Sequence, residues 1–217
     1  MAEKNNPKYK GREIFKEYSQ EIIQRKKTLL TELKRLWKAG KKDLLIEHGL
    51  AEIEKLPKEP SGQGDKDIAE IYLIIATAIW ETTEAREKVL PLVRTAAEFD
   101  RMNKGIMWLL REAKGEYSPD AKYFKIDAGG KCPYAAPDGG IQMEDFITFY
   151  AVVAESCEEA LGIIREYERL EVRDSIEIRS CKEVNPAPEL PKGIYQTMNL
   201  LAIRNEDDQE KPPAADE

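Results

Sequence analysis

The sequence predicts an α+β protein, with N-terminal helical hairpins of the α-solenoid kind followed by a small β-α-β-β sheet carrying a helix on one face. Three observations predict it. Apolar residues in the first half recur at helical spacing. Glycine and proline crowd into residues 114–144. Beyond them, short apolar or alternating runs flank one capped helix, as strands and a crossover require. The expected organisation is a helical-hairpin domain over 13–115, a Gly/Pro-rich connector over 116–144 and a small α+β domain over 145–204. Disordered ends are expected at 1–12 and 205–217. The latter is acidic, contains proline and lacks aromatics, so it has little apolar surface with which to order itself.

The first helix is expected from Glu13 to Ala39. Phe15, Ile22, Leu29 and Leu36 fall seven apart, and Ile23, Leu30, Leu33 and Trp37 widen the stripe. Gly40 supplies the left-handed residue that ends it. A second helix, about Asp43 to Leu56, gathers Ile46, Leu50 and Ile53 and stops at Pro57, where PKEPSGQGDKD reads as a loop. A third begins near Asp65 or Asp67. It is apolar nearly all round (Ile68, Ile71, Tyr72, Leu73, Ile74, Ile75, Ile79), so it belongs at the centre. The fourth carries Val89, Leu92, Val93, Ala96 and Phe99, with Pro91 removing one backbone hydrogen bond. The fifth, Asn103 to Ala113, carries Ile106, Met107, Leu109 and Leu110.

Sliding the chain by 43 residues lays Leu30 on Leu73, Leu36 on Ile79, Trp37 on Trp80, Ile46 on Val89 and Leu50 on Val93. One helical hairpin used twice gives this pattern, as does any pair of amphipathic hairpins. Ile68 to Asp100 resembles a tetratricopeptide repeat in outline: a first helix ending at Trp80, a second carrying Ala96, then Asp100 before another helix. The family's Trp-Leu-Gly-Tyr spacing is absent, and no proline follows the second helix. The resemblance covers about residues 22–100. It implies a groove that binds a peptide or helix, without catalysis.

In the second half, Lys122–Ile126 is expected as a short strand within a loop. FITFYAVV, Phe146 to Val153, is apolar without clean alternation and reads as a central strand. Ser156 with Glu159 three residues on forms a capping box for a helix carrying Cys157, Ala160, Leu161, Ile164 and Tyr167. A half-buried strand follows over Ser175–Val184. After a loop stiffened by Pro186, Pro188 and Pro191, a last strand runs from Ile194 to Ile203.

Several function classes find no support. No stretch of 18 uncharged apolar residues occurs, so no transmembrane segment is expected. MAEKNNPKYK lacks the apolar region of a secretory signal. There is one histidine, His48, and no GxSxG, GxGxxG or GxxxxGK[ST]. Cys132, Cys157 and Cys181 are odd in number, widely spaced and without a CxxC pair. We therefore expect reduced thiols in the cytoplasm, no metal site, no cofactor and no disulfide framework.

Two features carry the functional expectation. Residues 1–42 hold 13 Lys/Arg against 5 Asp/Glu, while 43–217 hold 21 against 36. The basic helix offers Arg25, Lys27, Lys34, Arg35 and Lys38 to a protein partner, a nucleic-acid backbone or an acidic membrane surface. It equally suits a plain solvated face or an internal complement to the acidic remainder. The second feature is the stretch 127–140, where glycine pairs bracket Lys131, Cys132 and Tyr134. It reads either as a connector or as an anion site, with Lys131 lowering the Cys132 thiol pKa. Cys157 and Cys181 read as packing. The sequence thus predicts a protein–protein interaction adaptor or accessory protein binding another protein through its helical half. The alternatives are a nucleic-acid-associated regulator using the basic helix and an enzyme using the 127–140 loop.

Overall fold

The computed structural model describes residues 19–58, 65–83, 86–135 and 141–202. The expected disordered ends, and residues 13–18 of the first helix, lie outside them. The chain is α+β: N-terminal helices lead into an antiparallel sheet.

Helix α1 (Gln20–Lys38) starts at Ser19, whose hydroxyl accepts from the Ile22 amide, and buries Leu29, Leu30, Leu33 and Leu36. Gly40 follows with φ 67°, the left-handed conformation expected of it. Helix α2 (Lys42–Ile53) packs on α1 and on α3 (Lys66–Thr83). Asp65 caps α3, its Oδ1 accepting from the amides of Asp67 and Ile68 at 3.0 and 3.2 Å. Eight residues of α3 are buried, and the helix touches α1, α2, α4 and α5, the central place its all-round apolar character requires. Helix α4 (Arg86–Phe99) keeps Pro91 inside it, and α5 (Lys104–Lys114) is capped by Asn103.

The second half departs from expectation at three places. The strand expected over 122–126 runs on as β1 (Lys122–Ala135) and pairs along its length with β2 (Ile141–Ala154), so much of the expected connector is a long hairpin. Of the glycines that suggested a loop, Gly130 serves close approach. A Cβ on Gly130 would come within 2.8 Å of the Ser175 carbonyl oxygen, whereas one on Gly129 would meet only the exposed, movable end of Arg179. Pro133 is tolerated because β3 (Glu177–Pro186) pairs with β1 only as far as Gly129, so no β3 ladder bond is needed from Pro133.

Second, the last strand is broken into β4 (Gly193–Thr197) and β5 (Leu201–Ala202), both on β2. Between them the Met198 carbonyl leaves the ladder, accepting from Arg101 and from Thr148 Oγ1. Third, Cys157 and Cys181 form a disulfide, correcting the expectation of unpaired thiols. The cysteines lie 24 residues apart in sequence, and the crossover through α6 (Cys157–Tyr167) and α7 (Leu170–Arg173) brings them together.

The sheet order is β3-β1-β2-β4, with β5 beside β2. Helix α6 opens with the expected Ser156 cap on the Glu159 amide, while the Glu159 carboxylate reaches back to the Glu155 amide at 2.6 Å. One hydrophobic cluster runs from Leu29 on α1 through Ile75, Leu109, Ile126 and Tyr150 to Ile194 on β4, so the helices and the sheet share a core.

Candidate functional site

Where α5 lies against β4, and α4 faces α6 and α7, a cavity of about 310 Å³ remains. Its walls come from both halves. Helices α4 and α5 supply Arg94, Ala97, Glu98, Met107, Leu110, Arg111 and Lys114. Helices α6 and α7 supply Ile163, Glu166, Tyr167, Leu170 and Arg173, and the entry to β4 supplies Lys192, Gly193 and Ile194. With Lys58, six cationic side chains face two carboxylates, Glu98 and Glu166.

Four of the six cations are paired. Glu166 accepts from Lys114 at 2.5 Å and from Arg94. Burial alone would raise the Glu166 carboxyl, but the Lys114 hydrogen bond and the Arg94 and Arg173 charges outweigh it and hold the pKa below the usual range. Lys192 pairs with Glu159 at 2.6 Å and Glu155 at 3.4 Å, and the exposed Lys58 pairs with Glu54 at 2.8 Å.

Arg111 and Arg173 differ. Among the described residues, neither has a carboxylate within salt-bridge distance. Arg173 donates to the main-chain carbonyls of Glu166 and Glu168 at 3.0–3.3 Å. Arg111 donates to the Ile194 carbonyl and stacks 3.8 Å over the Tyr195 ring. Its stem fills the space left by Gly193, where a Cβ would meet Arg111 Cγ at 2.7 Å. Burial lowers its pKa in spite of Tyr195, and its Nε is buried without a hydrogen-bond partner.

Glu98 is the second carboxylate of the wall. Burial, then the charges of Glu171 and Glu168, push its pKa up to about 7 against the opposing pull of Arg169 and Arg173. A carboxyl that binds its proton more tightly folded than unfolded makes the native state bind more protons between about pH 4.5 and pH 7. Stability contributed by this group is therefore lost as pH rises through that window and is level above it. Glu98→Gln should flatten that part of the stability–pH curve in urea titrations. An unchanged slope would remove Glu98 as its source.

None of the residues expected to form sites lines this cavity. On α1, Lys34 reaches Glu70 at 2.8 Å, Arg25 reaches Glu21 at 3.3 Å, Arg35 lies 3.8 Å from Glu32, and Lys26 binds Asp65. Lys27 and Lys38 are exposed. Asp65 caps α3 and Glu70 sits on it, so the basic helix is in part the internal complement that its charge allowed. Lys131, Cys132 and Tyr134 lie on β1, away from the cavity. Cys132 is buried, and burial raises its thiol to about 11, the opposite of activation by Lys131. Lys131 exchanges main-chain hydrogen bonds with the Ser175 hydroxyl, and Tyr134 pairs with Gln142 across the hairpin.

The cavity residues come from four helices, the entry to β4 and Lys58 after α2. The one local signal available was Arg111, a cation beside the apolar stripe of α5. Among the described residues, no cluster of His, Cys, Asp or Glu could hold a metal ion, and no helix is long and apolar enough to cross a membrane. No family model, curated protein or solved structure matches the chain.

Proposed function

We propose that the protein acts by binding, as an adaptor or accessory protein, and that the cavity between the helices and the sheet is where it grips its target. The observation that carries this reading is the origin of the walls. The helical half provides one side through α4 and α5, and α6, α7 and β4 provide the other, so an occupant touches both. Concave sites between packed layers, apolar with a few convergent polar groups, are the usual places for ligands. The ion pairs along α1 leave the basic helix with less charge to offer a nucleic-acid backbone. We keep the cytoplasm as the proposed location.

The test is to fill the cavity. Ala97 lines it and is nearly fully buried, so Ala97→Trp should block entry. Tagged wild-type and Ala97→Trp chains, each confirmed folded by circular dichroism, are purified from the native cells with and without nuclease. The proposal expects a stoichiometric species that accompanies the wild type in both lysates and is lost with the variant. Equal recovery with both chains, or loss of every companion on nuclease treatment, would sink it.

A further inference from the structure

We propose that the cavity takes a small amphiphilic anion, a carboxylate or phosphate monoester on a short apolar body, with Arg111 and Arg173 as the anchors of its head group. This rests on the binding reading above and names the occupant's chemistry.

The charge of the lining comes first. Cations outnumber carboxylates six to two, so a cationic occupant would be repelled. Glu166 is occupied by Lys114 and Arg94, and acidic neighbours outside the cavity lining hold Lys192 and Lys58. What remains is Arg111 and Arg173, guanidinium groups that hydrogen-bond to carbonyls or stack on an aromatic face and, among the described residues, have no carboxylate within salt-bridge distance. A guanidinium presents its donors as a planar fork matched to the two oxygens of a carboxylate or phosphate. Arg111 is already positioned by Gly193, Ile194 and Tyr195, so little side-chain entropy is lost when it binds.

The rest of the wall sets the body of the ligand. Met107, Leu110, Ile163, Leu170 and Ile194 line the same space and offer contacts to hydrocarbon. A volume of about 310 Å³ lies at the lower end of small-ligand sites, which suits a short chain or a single ring better than a nucleic-acid strand.

Four probes with one body test this on the full chain: hexanoate, hexyl phosphate, hexan-1-ol and hexylamine, each titrated by calorimetry with melting curves in parallel. The expected result is that hexanoate or hexyl phosphate binds and raises Tm, and that the alcohol and amine bind at least tenfold more weakly. Which anion binds tighter distinguishes a carboxylate source from a phosphate source. Arg173→Met and Arg111→Met should each weaken the anion at least tenfold. Because Arg111 also braces β4, salt provides a reading independent of folding. Anion binding should fall between about 0.02 M and about 0.3 M salt while alcohol binding does not. If the alcohol binds as well as the anions and Ala97→Trp abolishes it, the anionic class is overturned and the cavity reading stands. If no probe binds, the amphiphilic-anion proposal falls, and the cavity reading is decided by the Ala97→Trp co-purification alone. Anion binding unchanged in both arginine variants would place it elsewhere on the surface and overturn the proposal.

Discussion

Glu168→Ala is expected to destabilise the protein by about 3–5 kcal/mol, the cost of leaving an uncompensated charge in the interior. Glu168 is fully buried at the end of α6. Its two carboxylate oxygens share the Arg101 Nε–H, at 2.8 and 3.0 Å, and Oε1 also accepts from Arg101 Nη2 and from the Tyr150 hydroxyl, the latter at 2.9 Å. Arg101 comes from the turn between α4 and α5 and also donates to Thr197 Oγ1 at 2.8 Å and to the Met198 carbonyl. Burial alone would depress the guanidinium, and the neighbouring Glu168 more than offsets it. The network joins the helical half to α6, β2 and β4 at one point. Removing the carboxylate leaves the largely buried cation with neutral acceptors alone, among them the Thr197 hydroxyl and the Met198 carbonyl. Removing both charges, as in Arg101→Met with Glu168→Leu, should cost less than Glu168→Ala alone, because an apolar pair carries no desolvation penalty. Urea unfolding of the singles and the double decides it. A Glu168→Ala loss below about 1 kcal/mol, in the range of an exposed pair, would show that the site is wetter than its burial indicates.

This network also marks the limit of what a single sequence discloses. Arg101 and Glu168 are 67 residues apart, and nothing local separates Glu168 from the acidic run around it. The helices were legible because each carries its own periodicity. The stripe of α1, the all-round apolar α3, the Ser156 cap and the central β2 each follow from residues within a turn or two of one another. The β1 hairpin was not legible. Its Gly130 is set by Ser175, more than 40 residues on, and glycine in isolation reads as loop. Gly49 shows the same thing in a helix. It lowers the propensity of α2, and its reason is Ile75 on α3, which a Cβ would approach to 2.6 Å. The cavity is a property of packing: Arg111 and Arg173 are unremarkable helix residues until the fold places them on facing walls.

Opening the Cys157–Cys181 bond, by reductant or as Cys157→Ser with Cys181→Ser, is expected to cost about 3 kcal/mol, since a cross-link closing a loop of this length restricts the unfolded chain by that amount. For a chain of this size that corresponds to a Tm lower by roughly 6–12 °C. The bond ties the first residue of α6 to β3, and α6 carries Ile163, Glu166 and Tyr167 into the cavity. Loss of the tether should therefore loosen that wall as well as lower global stability. Melting curves with and without reductant measure the first effect, and an unchanged Tm would show that the bond contributes nothing. The same chemistry bears on location. Disulfides persist in oxidising compartments and are rare in the reducing cytosol. Cys132 is the remaining cysteine and is buried, so thiols are counted under denaturing conditions after acid trapping in the native cells. One thiol per chain means the bond is formed in the cell, and the proposed cytoplasmic location fails. Three mean a reduced pair, and the stability of the working protein is then that of the untethered form, with about 3 kcal/mol gained on oxidation.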